Sequence, residues 1–118
     1  MPETMKQIAI FESRGPSVGL LETATSVSEL SETFSLKIDS WVESGLGLQS
    51  GFNVLLSSGV AVHAEDCLER PELGVSFYID GNALISQTVQ VIAQECILAF
   101  NLVGKVLWQQ SSNNVSGT

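Results

Sequence analysis

Along the middle of this chain a large apolar residue recurs at every second position, and a period of two predicts strands. Phe52–Leu56 and Val60–Ala64 flank Ser57, Ser58 and Gly59, a connection of hairpin length. Val75–Asp80 (VSFYID) repeats the pattern. With Phe52, Val54, Leu56, Val60, Val62, Val75, Phe77 and Ile79 turned to a core, the opposite face carries Asn53, Leu55, Ala61, His63, Glu65, Ser76 and Tyr78. Nearer the start, Lys6–Glu12 (KQIAIFE) predicts a first strand, closed by a turn over Ser13–Pro16. Ser17–Thr25 fits either a second strand or a segment covering the core through Val18, Leu20 and Leu21.

Helical spacing occurs twice. Ser26 and Glu29 form a capping box, in which each side chain satisfies a free backbone donor. Val27, Leu30, Phe34, Ile38 and Trp41 follow at intervals of three and four, which predicts one helical stripe ended by Gly45 and Gly47. Glu29, Glu32, Asp39 and Glu43 fall mostly on its other side. A longer helix is predicted over Ala83–Val103. Ile85, Val89, Ile92, Cys96 and Ala99 form one stripe, and Leu84, Val91, Leu98 and Leu102 a second, so burial is expected over much of its circumference. Gly104 suits the left-handed residue after it. Pro71 and Gly74 predict an irregular acidic loop over Glu65–Glu72, and Lys105–Trp108 a last strand.

The element order strand, helix, hairpin, strand, helix, strand predicts an α+β two-layer sandwich. Two helices would cover one face of a mixed or antiparallel sheet of about four or five strands, a pattern related to the ferredoxin-like one. Residues 1–110 would form one domain and 111–118 a polar tail.

Charge narrows the function. Thirteen acidic residues face five basic ones, a formal charge of −8. Residues 1–80 hold all of that excess, because residues 81–118 contribute only Glu95 and Lys105. Scattered basic residues disfavour nucleic acid, whose recognition draws on clustered lysine and arginine. Gln87, Gln90, Gln94, Glu95 and Asn101 interrupt the most apolar segment, which disfavours a membrane span. Met1–Lys6 does not read as a secretory signal, so the expected location is cytoplasmic, with Cys67 and Cys96 reduced.

Catalytic patterns are incomplete. His63-Ala64-Glu65 has the His-x-Glu of zinc deaminases but lacks their Pro-Cys-x-x-Cys element. Zinc would need His63, Cys67 and Cys96 to converge from distant segments. His63 is the only base for a nucleophilic triad, and there is no Gly-x-Ser-x-Gly elbow. The acidic pairs Glu65/Asp66, Glu69/Glu72 and Glu29/Glu32 lie in polar surroundings, unlike the unequal environments of acid–base pairs. The Glu65–Glu72 loop lacks the EF-hand spacing, and no phosphate-cradling glycine motif occurs.

These features lead to a binding protein without a cofactor, one that neutralises or escorts a more basic protein partner. In size and charge alone it resembles immunity proteins that block toxins and small secretion chaperones. The expected contact residues are Leu55, His63, Glu65 and Tyr78 on the open face, Asp66, Glu69 and Glu72 in the loop, and Glu29 and Glu32 on the first helix. The alternatives are a homo-oligomer, such as a homodimer, or a small-ligand binder, and a zinc-dependent deaminase.

Overall fold

In a computed structural model of the chain, residues 5–9, 11, 16–45, 47–85 and 87–111 are described, Ile85 by its backbone alone. The elements are β1 (Met5–Ile8), β2 (Ser17–Thr23), α1 (Val27–Phe34), β3 (Asp39–Glu43), β4 (Gly47–Leu56), β5 (Ala61–Cys67), β6 (Val75–Asp80), α2 (Val89–Ala99) and β7 (Val106–Gln109). Short 3-10 turns occupy Pro71–Leu73 and Gly81–Ile85. The protein is α+β, with a seven-stranded antiparallel sheet in the order β1-β4-β5-β6-β2-β7. β3 pairs with β4 over Gly47–Gly51 and β1 pairs with it over Asn53–Leu56, so the two lie end to end along one edge. The sheet thus exceeds the four or five strands expected, and the ferredoxin-like pattern is not confirmed by these pairings.

The alternating stretches behave as their period demands. Phe52, Val54, Leu56, Val60, Val62, Val75, Phe77 and Ile79 are all buried, under the helices. Asn53, Leu55, Ala61, His63, Glu65, Ser76 and Tyr78 are half-buried on the other face. Ser17–Thr25 resolves into β2. A bulge between Gly19 and Leu21 turns both Leu20 and Leu21 inward, which is why this strand does not alternate cleanly. Phe100 packs against Phe34, Phe52 and Phe77 with ring centroids 5.4–5.7 Å apart, joining both helices to the sheet. Full burial of such a ring stabilises by about 1.5–3 kcal/mol.

The first helix is shorter than its apolar spacing implies. It ends at Phe34, because Ser35 adopts a left-handed backbone (φ 58°, ψ 49°) and the Ser31 hydroxyl donates to the Leu36 carbonyl. Trp41 therefore lies on β3, where Asp39, Trp41 and Glu43 share the open face. The second helix begins only at Thr88, whose hydroxyl accepts from Val91 N at 3.3 Å, and ends before the left-handed Asn101. Gly104 belongs to the following turn instead of capping the helix. Its second apolar stripe is not buried as a whole: Val91 is 56 % and Leu98 62 % exposed, while Leu102 is buried.

The expected acidic loop is also shorter. Glu65, Asp66 and Cys67 continue β5, leaving Leu68–Arg70 and the Pro71–Leu73 turn as the connection. The turn expected over Ser13–Pro16 and the tail from 111 lie outside the described residues, except for Pro16 and Ser111. Among the described residues no helix is long and apolar enough to cross a membrane.

Candidate functional site

Antiparallel pairing turns the uncovered face into two adjacent rows. One runs Asn53, His63, Tyr78 and Gly19 across β4, β5, β6 and β2. The next runs Asp39, Gly51, Glu65, Ser76, Glu22 and Trp108 from β3 to β7. Aromatic and carboxylate groups alternate here with small residues, leaving room above the backbone.

His63 anchors the first row. Its Nδ1 lies 2.7 Å from Asn53 Oδ1 and its Nε2 2.9 Å from Glu65 Oε1. A neutral imidazole donates to one of these oxygens and a protonated one to both. Phe11, Trp41 and Tyr78 surround the ring at centroid distances of 5.8, 5.8 and 6.3 Å. Trp41 reaches this position because Gly51 has no side chain: a Cβ there would lie 2.9 Å from the indole and would strike the Ala64 carbonyl. The Trp41 indole N–H donates to Glu43 Oε1 at 3.4 Å.

Two cavities of about 500 Å³ each open on this face and share Glu65 and Tyr78. The first includes Phe11, Asn53 and His63. The second includes Glu22, Gln49, Glu69 and Ser76. Gln49 is only 3 % exposed, and its Nε2 has no hydrogen-bond partner among the described residues. An orphaned buried donor costs about 1–3 kcal/mol, so an acceptor brought to it would be favoured.

Tyr78 reports the electrostatics of the face. Its pKa is raised above the usual 10.0, first by burial and then by the negative charge of Glu65; a hydrogen bond with Ser76 opposes the rise, and Glu22 and Glu43 add smaller upward pushes. Tyr78 is the only tyrosine, so an ultraviolet titration of phenolate reads it alone. Its midpoint is expected above 10 in the folded chain, and Glu65→Gln should move it down only part of the way, because burial leads. The raised value favours the folded state fully below the unfolded pKa. That contribution is lost as pH rises through the folded value. A midpoint at or below 10 would contradict the negative, partly dry surroundings.

The expected contact residues separate into groups. Leu55, His63, Glu65 and Tyr78 share the open face, though Leu55 lies towards its far end opposite Lys6 and Ala61. Glu69 borders the second cavity and accepts from Leu48 N at 3.2 Å, folding its carboxylate over Gly47. Glu72 is exposed and pairs with Arg70 at 2.6 Å, which lowers the carboxyl pKa and raises that of the guanidinium. Asp66 turns inward: it is 9 % exposed, its Oδ2 accepts from Val27 N at 2.8 Å and its Oδ1 from the Ser50 hydroxyl at 2.7 Å. It holds the start of α1 against the sheet. Glu29 and Glu32 are exposed on α1, in the helical layer away from His63. Glu29 accepts from the Thr25 hydroxyl at 2.7 Å.

Spacing alone missed Glu22, Glu43, Gln49, Trp41 and Trp108. The alternation of Asp39, Trp41 and Glu43 was the available signal, hidden by a coincident helical interval. The three groups considered for zinc do not meet. His63 and Cys67 lie on the open face, whereas Cys96 is buried in the core on α2, where burial pushes its thiol pKa well up. Among the described residues no three His, Cys, Asp or Glu side chains are grouped to hold a metal ion. No protein-family model, no curated protein and no solved structure matches the chain.

Proposed function

We propose that this domain binds a more basic protein through the open face of its sheet, neutralising or escorting it, a role suggested by its likeness in size and charge alone to immunity proteins and secretion chaperones. The observation that carries this reading is the gathering of Trp41, Tyr78 and Trp108 with Glu22, Glu43 and Glu65 on the sheet face that the two helices do not cover. Aromatic anchors supply buried contact area, and carboxylates supply complementarity to a positive partner. Opposite charge also steers encounter, raising association rates in a salt-dependent way.

The test uses the partner retained by the chain from its source cells. Between low and high salt its association rate should fall by about tenfold or more, with a smaller change in dissociation. A salt-independent association rate would remove electrostatic steering from the account.

Self-association is a second reading, supported by the exposure of Val91 and Leu98, two turns apart on α2. Sedimentation of the purified chain separates the readings: a monomer at all concentrations removes this one.

A further inference from the structure

We propose that the cavity floored by Gln49 is an arginine subsite, in which Glu22 and Glu65 clasp a guanidinium lying over Ser76 and against the Tyr78 ring. This rests on the reading of the open face as a surface for a basic partner and names the group that it takes.

Register supplies the geometry. Glu22 pairs with Ser76 on one side, and Ser76 pairs with Glu65 on the other. The two glutamates therefore stand on alternate strands, with backbones about 10 Å apart. The serine between them is small. All three residues, with Tyr78, line the same cavity. His63 engages Glu65 through Oε1, fixing that carboxylate without using Oε2. Tyr78 belongs to the adjacent row, and with Trp108 it flanks the side-chain-free Gly19. Carboxylates beside aromatic faces suit a planar guanidinium, which can bond in parallel to carboxylate oxygens and stack on a ring. An ammonium has the charge without the plane.

Gln49 is the independent observation. A nearly buried amide donor without a partner among the described residues lines this same cavity. Glu22, Glu65 and Glu69 could hold a cation, but none of that explains the buried amide donor of Gln49. An arginine carried by a peptide brings both complements: the guanidinium for Glu22 and Glu65, and neighbouring backbone carbonyls for Gln49 Nε2.

The experiment titrates the full chain with acetyl-Gly-Arg-Gly-amide and follows backbone and side-chain amide resonances. Citrulline and lysine versions of the peptide are the controls. The arginine peptide should shift the Gln49 side-chain amide, Ser76 and Tyr78, and should bind about tenfold tighter than the citrulline version. Glu22→Gln, at an exposed position where the fold is insensitive, should weaken it by a similar factor. Equal binding of the citrulline peptide, or shifts centred on Glu29 and Glu32, would overturn the subsite. Equal binding of the lysine peptide would overturn the guanidinium assignment. Failure of all three peptides, with the cell-derived partner still associating in a salt-dependent way, sinks the subsite and leaves the wider reading standing. A cell-derived partner that binds Trp41→Ala as tightly as the parent sinks the wider reading itself.

Discussion

Asp66→Ala is expected to destabilise the fold by about 2–4 kcal/mol, the combined cost of losing a helix-start contact and orphaning buried donors. The carboxylate satisfies Val27 N at the first residue of α1 and the Ser50 hydroxyl on β4. Ser26 caps the same helix through Glu29 N, so the start of α1 is held from two sides, and removing Asp66 leaves Val27 N without its charged acceptor. Thermal unfolding should fall by roughly 10 °C or more. Glu32→Ala, an exposed change on the same helix, should stay within about 0.5 kcal/mol of the parent. Equal effects of the two substitutions in a melt would contradict the inward role of Asp66.

The second large effect concerns binding. Trp41→Ala should cost about 2 kcal/mol or more of partner affinity, roughly a thirtyfold loss, as expected of an aromatic anchor near the centre of an interface. Its ring lies over Gly51 and against His63, so truncation opens the open face without entering the core formed by Phe52, Phe77 and Phe100. The stability cost should be smaller than the binding cost, about 1 kcal/mol for a half-buried ring. Circular dichroism together with a melt checks that the variant keeps its fold.

The two variants also mark how far the residues could be read without coordinates. From Phe52 to Asp80 the alternation is unbroken within each strand, so burial and face follow from parity alone, and the open face with His63, Glu65 and Tyr78 was legible. The same parity carried past Ala64 points Asp66 inward, beside Val62 and Ala64. A loop assignment from the nearby Pro71 obscured that signal. Trp41 was lost for a different reason. Val27, Leu30, Phe34, Ile38 and Trp41 keep a helical interval across a boundary set by the left-handed Ser35, a backbone conformation that serine does not advertise. The same helical interval hides β3, whereas Ser17–Thr25 leaves a strand open without settling it, because β2 breaks alternation at its bulge. Glu22, Glu65 and Trp108 come from three different strands, so only the pairing register brings them into one row.

That register also changes the meaning of the net charge. The described acids include a sheet-face group, Glu22, Glu43 and Glu65, that acts together on Tyr78, the exposed Glu29 and Glu32 on the first helix, and a buried structural carboxylate, Asp66. Among the described residues the sheet face combines negative charge with aromatic rings, cavities and an unsatisfied donor.

The most direct measurement is the equilibrium affinity of the cell-derived partner for Trp41→Ala beside the double variant Glu29→Gln/Glu32→Gln. If the open sheet face is the contact surface, Trp41→Ala weakens binding roughly thirtyfold while the helix double variant stays within about twofold of the parent. The reverse order, with the helix variant impaired and Trp41→Ala unchanged, would contradict the account.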